Sequence, residues 1–466
     1  MGTVRVKKWI SGNKDALLKL LVVAFPMVIQ GIVFELQSLT DKIFLGKVDD
    51  VYIAVAGAIQ FPISTTMAVL IALCTGTTII VSQLYGAGKK ERMLATVKSS
   101  IFFNSLLSFL IFGLWFFLGG AVMRIMSVDD RLIPDCVTCL KIYSFFFLII
   151  GIDSSLQAML QGMGKTRPIL YAGLIKVVFN ILISWMLIFG KFGLPAMNVA
   201  GAAVGTLVAD IISTGMLVVY CFLIKNKEFH LLSENRLWFD WKAYVASLKL
   251  GIPTALEYFL WNMSNLVLIK FLNSFSYVAT EIYTLTFGIE VIVVAVFSGN
   301  SKACMALMGQ SIGAEKKKEA NRIFYACMAF NLVVVLLFAI VFALFPAQLL
   351  DIFSDEAEII RKGIPFMMFT GAILIPKSIN VMVGSAIRAY SDTKWMMYSQ
   401  IIGSVFVVSL SFVLVKVAGL GISAIYITLF CDELVRAVLN FIRFQVKYSN
   451  PTMPDAEIHG KRKLCK

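Results

Sequence analysis

The stretch Gln83-Leu84-Tyr85-Gly86-Ala87-Gly88-Lys89-Lys90 returns later in the chain as Gln310-Ser311-Ile312-Gly313-Ala314-Glu315-Lys316-Lys317. The two copies stand 227 residues apart, and the same offset joins Pro26 to Pro253, Ser127 to Ser354 and Thr166 to Thr393. One constant separation over so long a span marks an internal duplication. The repeated unit is too long for a solenoid motif. Each copy is strongly apolar, which is the pattern of a membrane protein built from two matching bundles with a pathway at their interface.

Composition supports that reading. The 466 residues are 59% hydrophobic and 15% charged, with a mean hydropathy of +0.84. A water-soluble chain of this size would carry far more charge. Apolar runs of roughly 20 residues or more recur along the length, each able to cross a ~30 Å hydrocarbon core as a helix. The short alternating strands of a membrane β-barrel are absent. We therefore expect an all-α integral membrane protein of twelve transmembrane helices in two pseudo-symmetric six-helix bundles. The spans fall near 17–45, 51–86, 93–120, 134–163, 167–190 and 197–224, then 244–273, 278–312, 319–346, 361–390, 394–418 and 421–447. This gives an N-lobe over 1–225, a connection over 226–243, a C-lobe over 244–447 and a polar, basic tail over 448–466. The connection alternates Phe229, Leu231, Leu232, Leu237, Trp238, Phe239 and Trp241 with charged residues, as an amphipathic segment on a membrane surface would. Pro26 and Pro253 lie inside their spans, and each removes a backbone donor and should kink its helix.

The charge balance, 42 Lys and Arg against 28 Asp and Glu, gives a net +14. In a soluble protein that would suggest nucleic acid. Here the basic residues sit in short loops, roughly 26 on one side of the expected spans and roughly 7 on the other. Both termini are then cytoplasmic, in a multi-pass protein of the cell membrane surrounded by lipid. The apolar run after the basic N-terminal segment is full length, holds Glu35 and Asp41 and lacks a small-residue cleavage pattern, so it reads as a retained first span. Most of the 8 cysteines lie in apolar runs and read as small packing residues. Cys136-Val137-Thr138-Cys139 has C-x-x-C spacing but no βαβ context. His230 and His459 fall in polar segments, and no H-E-x-x-H or G-x-S-x-G signature favours an enzyme.

Ionisable residues inside spans are functional candidates, because burying them in hydrocarbon is costly. Gln37 and Asp41 are one helical turn apart and share a face. A carboxylate beside an amide can bind a proton, a sodium ion or an organic cation. Equally, Asp41 near an interface would be hydrated or paired with Lys42. In the second half, Glu281 and Arg388 fall near span ends and are expected to be hydrated. Glu257, Glu290, Lys302 and Lys377 lie deeper and are candidates for lining a substrate cavity, paired as Glu290 with Lys302 or Glu257 with Lys377. The 21 Met and 37 Phe suit a pliable cavity, but packing and lipid contact use the same residues.

Several motifs, in order along the chain, carry a resemblance. Pro26 followed by Gln37-x-x-x-Asp41-Lys42-Ile43-Phe44-Leu45-Gly46 resembles the first helix of MATE (multidrug and toxic compound extrusion) transporters. Gln83-x-x-Gly86-Ala87-Gly88-Lys89-Lys90-Glu91-Arg92 is similar to that family's loop after helix two. Leu160-Gln161-Gly162-Met163-Gly164-Lys165-Thr166-Arg167-Pro168 resembles the loop between helices four and five. Asn180-Ile181-Leu182-Ile183 and Gly201-Ala202-Ala203-Val204-Gly205-Thr206 resemble helices five and six. The resemblance implies the V-shaped MATE/MOP-type fold, with a cavity that opens alternately to each side. It implies export of small organic, often cationic, compounds in exchange for H⁺ or Na⁺, by a monomer with no cofactor beyond the coupling ion.

In the DinF-like branch, the ion group implied by the resemblance maps to Asp41, Asn180 and Thr206, with Na⁺ at the Asp41 group as its one metal. The branch's acid one turn along helix five is Ser184 here. Asp210, one turn beyond Thr206, is expected either to compensate or to pair elsewhere. Glu257 stands four residues after Pro253, where DinF-like relatives often carry Gln, and the helix-seven acid of other branches falls on Trp261. The second half therefore does not reproduce those branches' cation site. Two other readings remain: a lipid-linked oligosaccharide flippase of the same superfamily, for which Lys302, Lys377 and Arg388 would have to face the cavity, and a membrane-embedded enzyme.

Overall fold

A computed structural model describes residues 2–48, 50–223, 231, 240–354 and 356–449, with the side chains of all these except 2–19, 38, 39, 42, 46, 50, 53 and 277. The expected connection over 226–243, the tail beyond 449, both histidines and the Lys42 side chain therefore lie wholly or largely outside the described residues. Among the described residues there is no strand, and there are twelve helices of 20 residues or more. These are α1 (Gly2–Gly46), α2 (Asp50–Gly86), α3 (Lys90–Ile125), α4 (Ile133–Gly162), α5 (Arg167–Ile188) and α6 (Asn198–Val218), followed by α7 (Trp241–Asn273), α8 (Tyr277–Gly313), α9 (Lys317–Leu344), α10 (Ala357–Ala389), α11 (Thr393–Phe412) and α12 (Ile422–Phe444). Each falls on one of the twelve expected spans.

Ten of the twelve are long and apolar enough to cross a membrane. The other two, α7 and α12, have the length but carry more charge: Lys242, Lys249, Glu257 and Lys270 on one, Asp432, Glu433, Arg436 and Arg443 on the other. Both are part of the twelve-helix architecture, and Glu257 on α7 and Asp432, Glu433 and Arg436 on α12 pair in the interior.

The repeat is visible in the backbone where the sequence copies differ. After α2, Gly88 takes the left-handed conformation, with φ 69°, and the Lys89 amide closes back on the Leu84 carbonyl at 2.9 Å. After α8 the same position is Glu315, with φ 63°, and the Lys316 amide closes on the Ser311 carbonyl at 2.8 Å. This is the left-handed cap that ends many helices. Glycine adopts it without strain in the first copy, and the second copy holds it with a side chain that pays a small steric cost.

The chain forms two compact units. One is Ile29–Ala255; the other is the rest of the described chain, up to Val28 and from Leu256 onward. The expected lobes divided at the 226–243 connection, whereas the contacts divide inside α1 and α7, two residues after Pro26 and two after Pro253. The cause is packing by the first parts of these two helices. The first part of α7 lies in the unit of α2 and α3. Tyr244 donates to Asn104 Oδ1 at 3.1 Å and stacks on Phe103, and the Asp240 amide donates to Ser99 Oγ at 3.0 Å. Gly76 of α2 meets the backbone at Ser247 and Gly251, and Gly251 meets Leu73, so the two helices touch backbone to backbone. Small residues at such crossings are how membrane helices gain contact without a hydrophobic driving force. In the other unit, Gly299 of α8 rests on the Val28 backbone of α1 in the same manner.

The end of α12 is tied to the turn between α10 and α11. Asp392 is buried in that turn, and its Oδ2 accepts from Tyr448 (2.6 Å), Arg443 (3.0 Å) and Lys447 (3.1 Å). Tyr390 stacks on Tyr448 with ring centres 4.4 Å apart. Burial would raise the Asp392 carboxyl, but the Tyr448 hydroxyl and the two cations outweigh it and hold the group at about 2.

Two measurements check these contacts. Gly251→Ala forces Cβ into the Leu73 carbonyl and should cost about 1–3 kcal/mol, read as a lower melting temperature of the purified protein. Gly57→Ala, where a Cβ meets nothing, should leave the melt unchanged. Asp392 contributes its stability above the ordinary carboxylate value of 3.8 and loses it as the pH falls toward about 2. Asp392→Asn should therefore destabilise by about 2 kcal/mol near neutrality, and the gap from the parent should close in acid denaturation scans near the folded-state value.

Candidate functional site

In the Ile29–Ala255 unit, helices α1, α4, α5 and α6 bring polar groups together. Asn180 is fully buried on α5 and donates Nδ2 to Thr206 Oγ1 on α6 at 3.1 Å and, more weakly, to Ser184 Oγ at 3.4 Å. Gly205 makes this possible, since a Cβ there would overlap Ser184 and hold α5 and α6 apart. Asp41 lies within reach of both Asn180 and Ser184, and Tyr143 of α4 lies against Thr206. Gln37, one turn before Asp41, is 5% exposed. Three buried oxygens here have no hydrogen-bond partner: Gln37 Oε1, Asp41 Oδ1 and Asn180 Oδ1. Acceptors held out of water in this way are what a proton or an oxygen-ligated cation would satisfy. The structure thus brings together Asp41, Asn180, Ser184 and Thr206 from the sequence-derived set.

Asp210 has a different partner. Its Oδ1 lies 2.5 Å from Lys176 Nζ, so it pairs elsewhere rather than replacing the missing acid beside Asp41. Lys176 also lies over the Phe34 ring of α1, 5.6 Å from its centre. A third carboxylate, Asp153 of α4, accepts from Gln157 Nε2 at 2.7 Å and from Thr214 Oγ1 at 3.4 Å. Sequence reasoning overlooked Lys176 and Asp153. Both were legible as charges inside apolar runs, Lys176 one turn before Asn180 and Asp153 within Ile149-Ile150-Gly151-Ile152-Asp153.

The other unit holds an ionic cluster on α8, α10, α11 and α12. Lys377 donates to Glu290 Oε1 at 2.7 Å. Arg436 spans Asp432 Oδ2 (2.5 Å), Glu433 Oε1 (3.2 Å) and Gln400 Oε1 (2.8 Å). Asn380 donates to Glu433 Oε2 at 2.9 Å and accepts from Asn440 at 2.8 Å. Glu290, Lys377, Gln400, Asp432, Glu433 and Arg436 line a narrow cleft whose aromatic wall is Trp261, Tyr283 and Phe287. Glu433 occupies the repeat position of Thr206, and Asn380 that of Asp153, so both polar clusters use equivalent helix positions with different chemistry.

The expected pairs are corrected by these distances. Glu290 pairs with Lys377, not Lys302, and Glu257 pairs with Arg388 at 2.5 Å, not with Lys377. Arg388 is not a hydrated end residue, because its side chain is only 13% exposed. Glu257 and Arg388 lie four and twelve residues after Pro253 and Pro376, and the fold closes them onto each other. Lys302 is exposed on α8 and makes no ion pair among the described residues. Glu281 is half-buried, with Oε2 lacking a partner. Pro26 and Pro253 sit inside α1 and α7 as expected.

A duplicated bundle of membrane-spanning helices with ionisable groups in its interior defines a multi-pass membrane transporter. The MatE family model matches residues 26–186 and 253–413, two segments that start and end at the 227-residue offset. The chain belongs to this family, the MATE multidrug efflux transporters. It is 24% identical to the uncharacterized transporter YisQ of Bacillus subtilis, over 92% of this chain and 94% of that protein. It is 25% identical to a probable multidrug resistance protein NorM of Thermotoga maritima, over 91% of each. A crystal structure of MATE in complex with MaD3S shares the fold, with a TM-score of 0.87 at 17% identity, over 93% of this chain and 96% of that one.

The Glu290–Lys377 pair offers a direct test of its burial. Lys377→Met strands Glu290 and should destabilise by roughly 3–5 kcal/mol, whereas Glu290→Gln with Lys377→Met should recover most of that loss in thermal melts.

Proposed function

We propose that this transporter exports small organic, often cationic, compounds in exchange for an inward flow of H⁺ or Na⁺, by alternating access. The observation that carries the reading is the Asp41 group. A buried carboxylate beside Asn180, Ser184 and Thr206, with three oxygens lacking donors, suits reversible uptake of one small cation. The set Pro26, Asp41, Asn180 and Thr206 supports the DinF-like branch, with Ser184 as its departure. Pro26 lies two residues before α1 passes from one compact unit to the other, where a kink that straightens or deepens would be most consequential. Binding at Asp41 changes the charge on the same helix, so ion occupancy and helix shape bias one another.

For substrate, the reading assigns the cavity walled by Trp261, Tyr283 and Phe287. Glu290, Asp432 and Glu433 give it three carboxylates against the two cations Lys377 and Arg436. Aromatic faces with one excess negative charge favour a cationic ligand. The flippase reading needs free cations at the cavity for a pyrophosphate, but Lys377 and Arg388 are each bound to a carboxylate and Lys302 does not line the cavity. Lysine and arginine placement further supports cytoplasmic termini in the cell membrane.

The test is efflux of ethidium from reconstituted vesicles, driven separately by a pH and a Na⁺ gradient. One of the two gradients should drive transport. Asp41→Asn should abolish it while the amount of reconstituted protein holds; undiminished transport by that variant would reject the reading.

A further inference from the structure

We propose that Asp153, Asp210 and Lys176 form a second ion site in the Ile29–Ala255 unit, one that holds a proton and is distinct from the Asp41 group. Asp210 is 7% exposed, and its Oδ1 takes up the ammonium of Lys176 at 2.5 Å. Asp153 accepts from Thr214, which stands one helical turn after Asp210 on α6, so the two carboxylates are neighbours. Asp153 has no cation of its own among the described residues, only the amide of Gln157 and the hydroxyl of Thr214. Around it are Cys74 from α2, Lys176 from α5 and Asp210 from α6, and Tyr143 of α4 is near Asp210. Two carboxylates therefore share one ammonium. The leftover negative charge, half-buried between membrane-spanning helices, is costly to hold unpaired.

Sodium fits this position poorly. Each Asp153 oxygen already accepts a hydrogen bond, one from Gln157 and one from Thr214, and Asp210 Oδ1 already holds the Lys176 ammonium, so a metal cation would have to displace these contacts. A proton needs no further ligands. Its uptake turns one carboxylate of the pair into a carboxylic acid, and its release restores the anion.

Lys176 joins this site to the first one. It lies one helical turn before Asn180 and acts through space on Asp41 as well as on Asp153 and Asp210. One ammonium is thus shared among three carboxylates. A proton on the Asp153–Asp210 pair weakens that pair's hold on Lys176 and leaves more of its charge to Asp41. Loss of that proton draws the ammonium back. The two sites are then coupled without any residue touching both. The proposal rests on the ion-coupled reading above only for its consequence in transport, since the site itself is defined by the three side chains.

The repeat supplies a conservative probe. The position of Asp153 is Asn380 in the other unit, where the amide sits in a hydrogen-bonded polar cluster, so the fold accommodates Asn there. Infrared difference spectra of the purified full chain between acid and alkaline buffer count titrating carboxylic acids without any substrate. Asp153→Asn should titrate one acid fewer than the parent, Asp153→Glu should restore it, and Lys176→Met should add one. Exchange of NaCl for KCl should leave the difference between the parent and Asp153→Asn unchanged. An Asp153→Asn protein that titrates as many acids as the parent, a Lys176→Met protein with no added acid, or a parent-to-Asp153→Asn difference that NaCl removes would overturn the proposal. Where Asp153→Asn does not fold, Asp153→Glu decides it by moving the titrating carboxylic acid band to the glutamic acid position; an unmoved band overturns the proposal. Neither result depends on whether Asp41→Asn transports, so failure of the coupling reading and failure of this site are told apart.

Discussion

A charge enclosed by apolar helices must meet an opposite charge, a proton or enough hydrogen-bond donors, and this constraint organises the interior of the protein. It explains why Lys377 reaches from α10 to Glu290 on α8, and why Arg436 takes up Asp432, Glu433 and Gln400 together. It also accounts for Glu257 and Arg388, which are 131 residues apart in sequence and joined in space. The Glu290–Lys377 and Glu257–Arg388 pairs each clamp two helices, whereas Arg436 takes two carboxylates of its own helix and reaches α11 through Gln400. Glu257 on α7 and Arg436 on α12 thus help fix how these helices sit in their bundle. A buried pair contributes little net stability over an apolar match, but leaving one partner alone is strongly unfavourable. That asymmetry gives the bundle its register.

The duplication supplies the frame within which these charges act. The turns after α2 and α8 share a backbone although one uses Gly88 and the other Glu315. The compact units divide two residues after Pro26 and two after Pro253, so even the exchange of helix segments between units keeps the 227-residue spacing. Close backbone contact at Gly76, Gly251 and Gly299 anchors the exchanged segments. A proline just before each division removes a backbone hydrogen bond where the helix changes its neighbours.

The helices and the twofold repeat were legible in the sequence because both are periodic and long: apolar runs set the spans, and a single offset aligned them. The Asp41 group was legible because its members fall in recurring motifs. The partners of the charges were not. Glu290 has Lys302 twelve residues away on its own helix, yet it pairs with Lys377 on α10, because which faces of α8 and α10 meet is decided by packing and not by local spacing. Lys176 and Asp153 were visible as charges but belonged to no motif, and only the approach of α4, α5 and α6 shows that they act together. The unit boundary was missed for a similar reason. A polar connection marks where a chain leaves the membrane, whereas α1 and α7 exchange units in mid-helix, where composition changes little.

The two polar clusters stand at equivalent places in the repeat and have diverged in how far they neutralise themselves. In the second unit, Arg436 stands beside the repeat position of Thr206, and two cations answer Glu290, Asp432 and Glu433. In the first unit, three carboxylates, Asp41, Asp153 and Asp210, share one lysine. A cluster that carries most of its own counter-ions is suited to hold a fixed shape around a ligand. A cluster short of positive charge must acquire it from outside, and the affinity with which it does so changes whenever the helices around Lys176 shift. On the proposed reading, the division of labour between units follows from this difference: the repeat duplicated the scaffold, and the later placement of lysine and arginine left one half a single charge short, for a cationic ligand to meet, and the other further short and dependent on an ion.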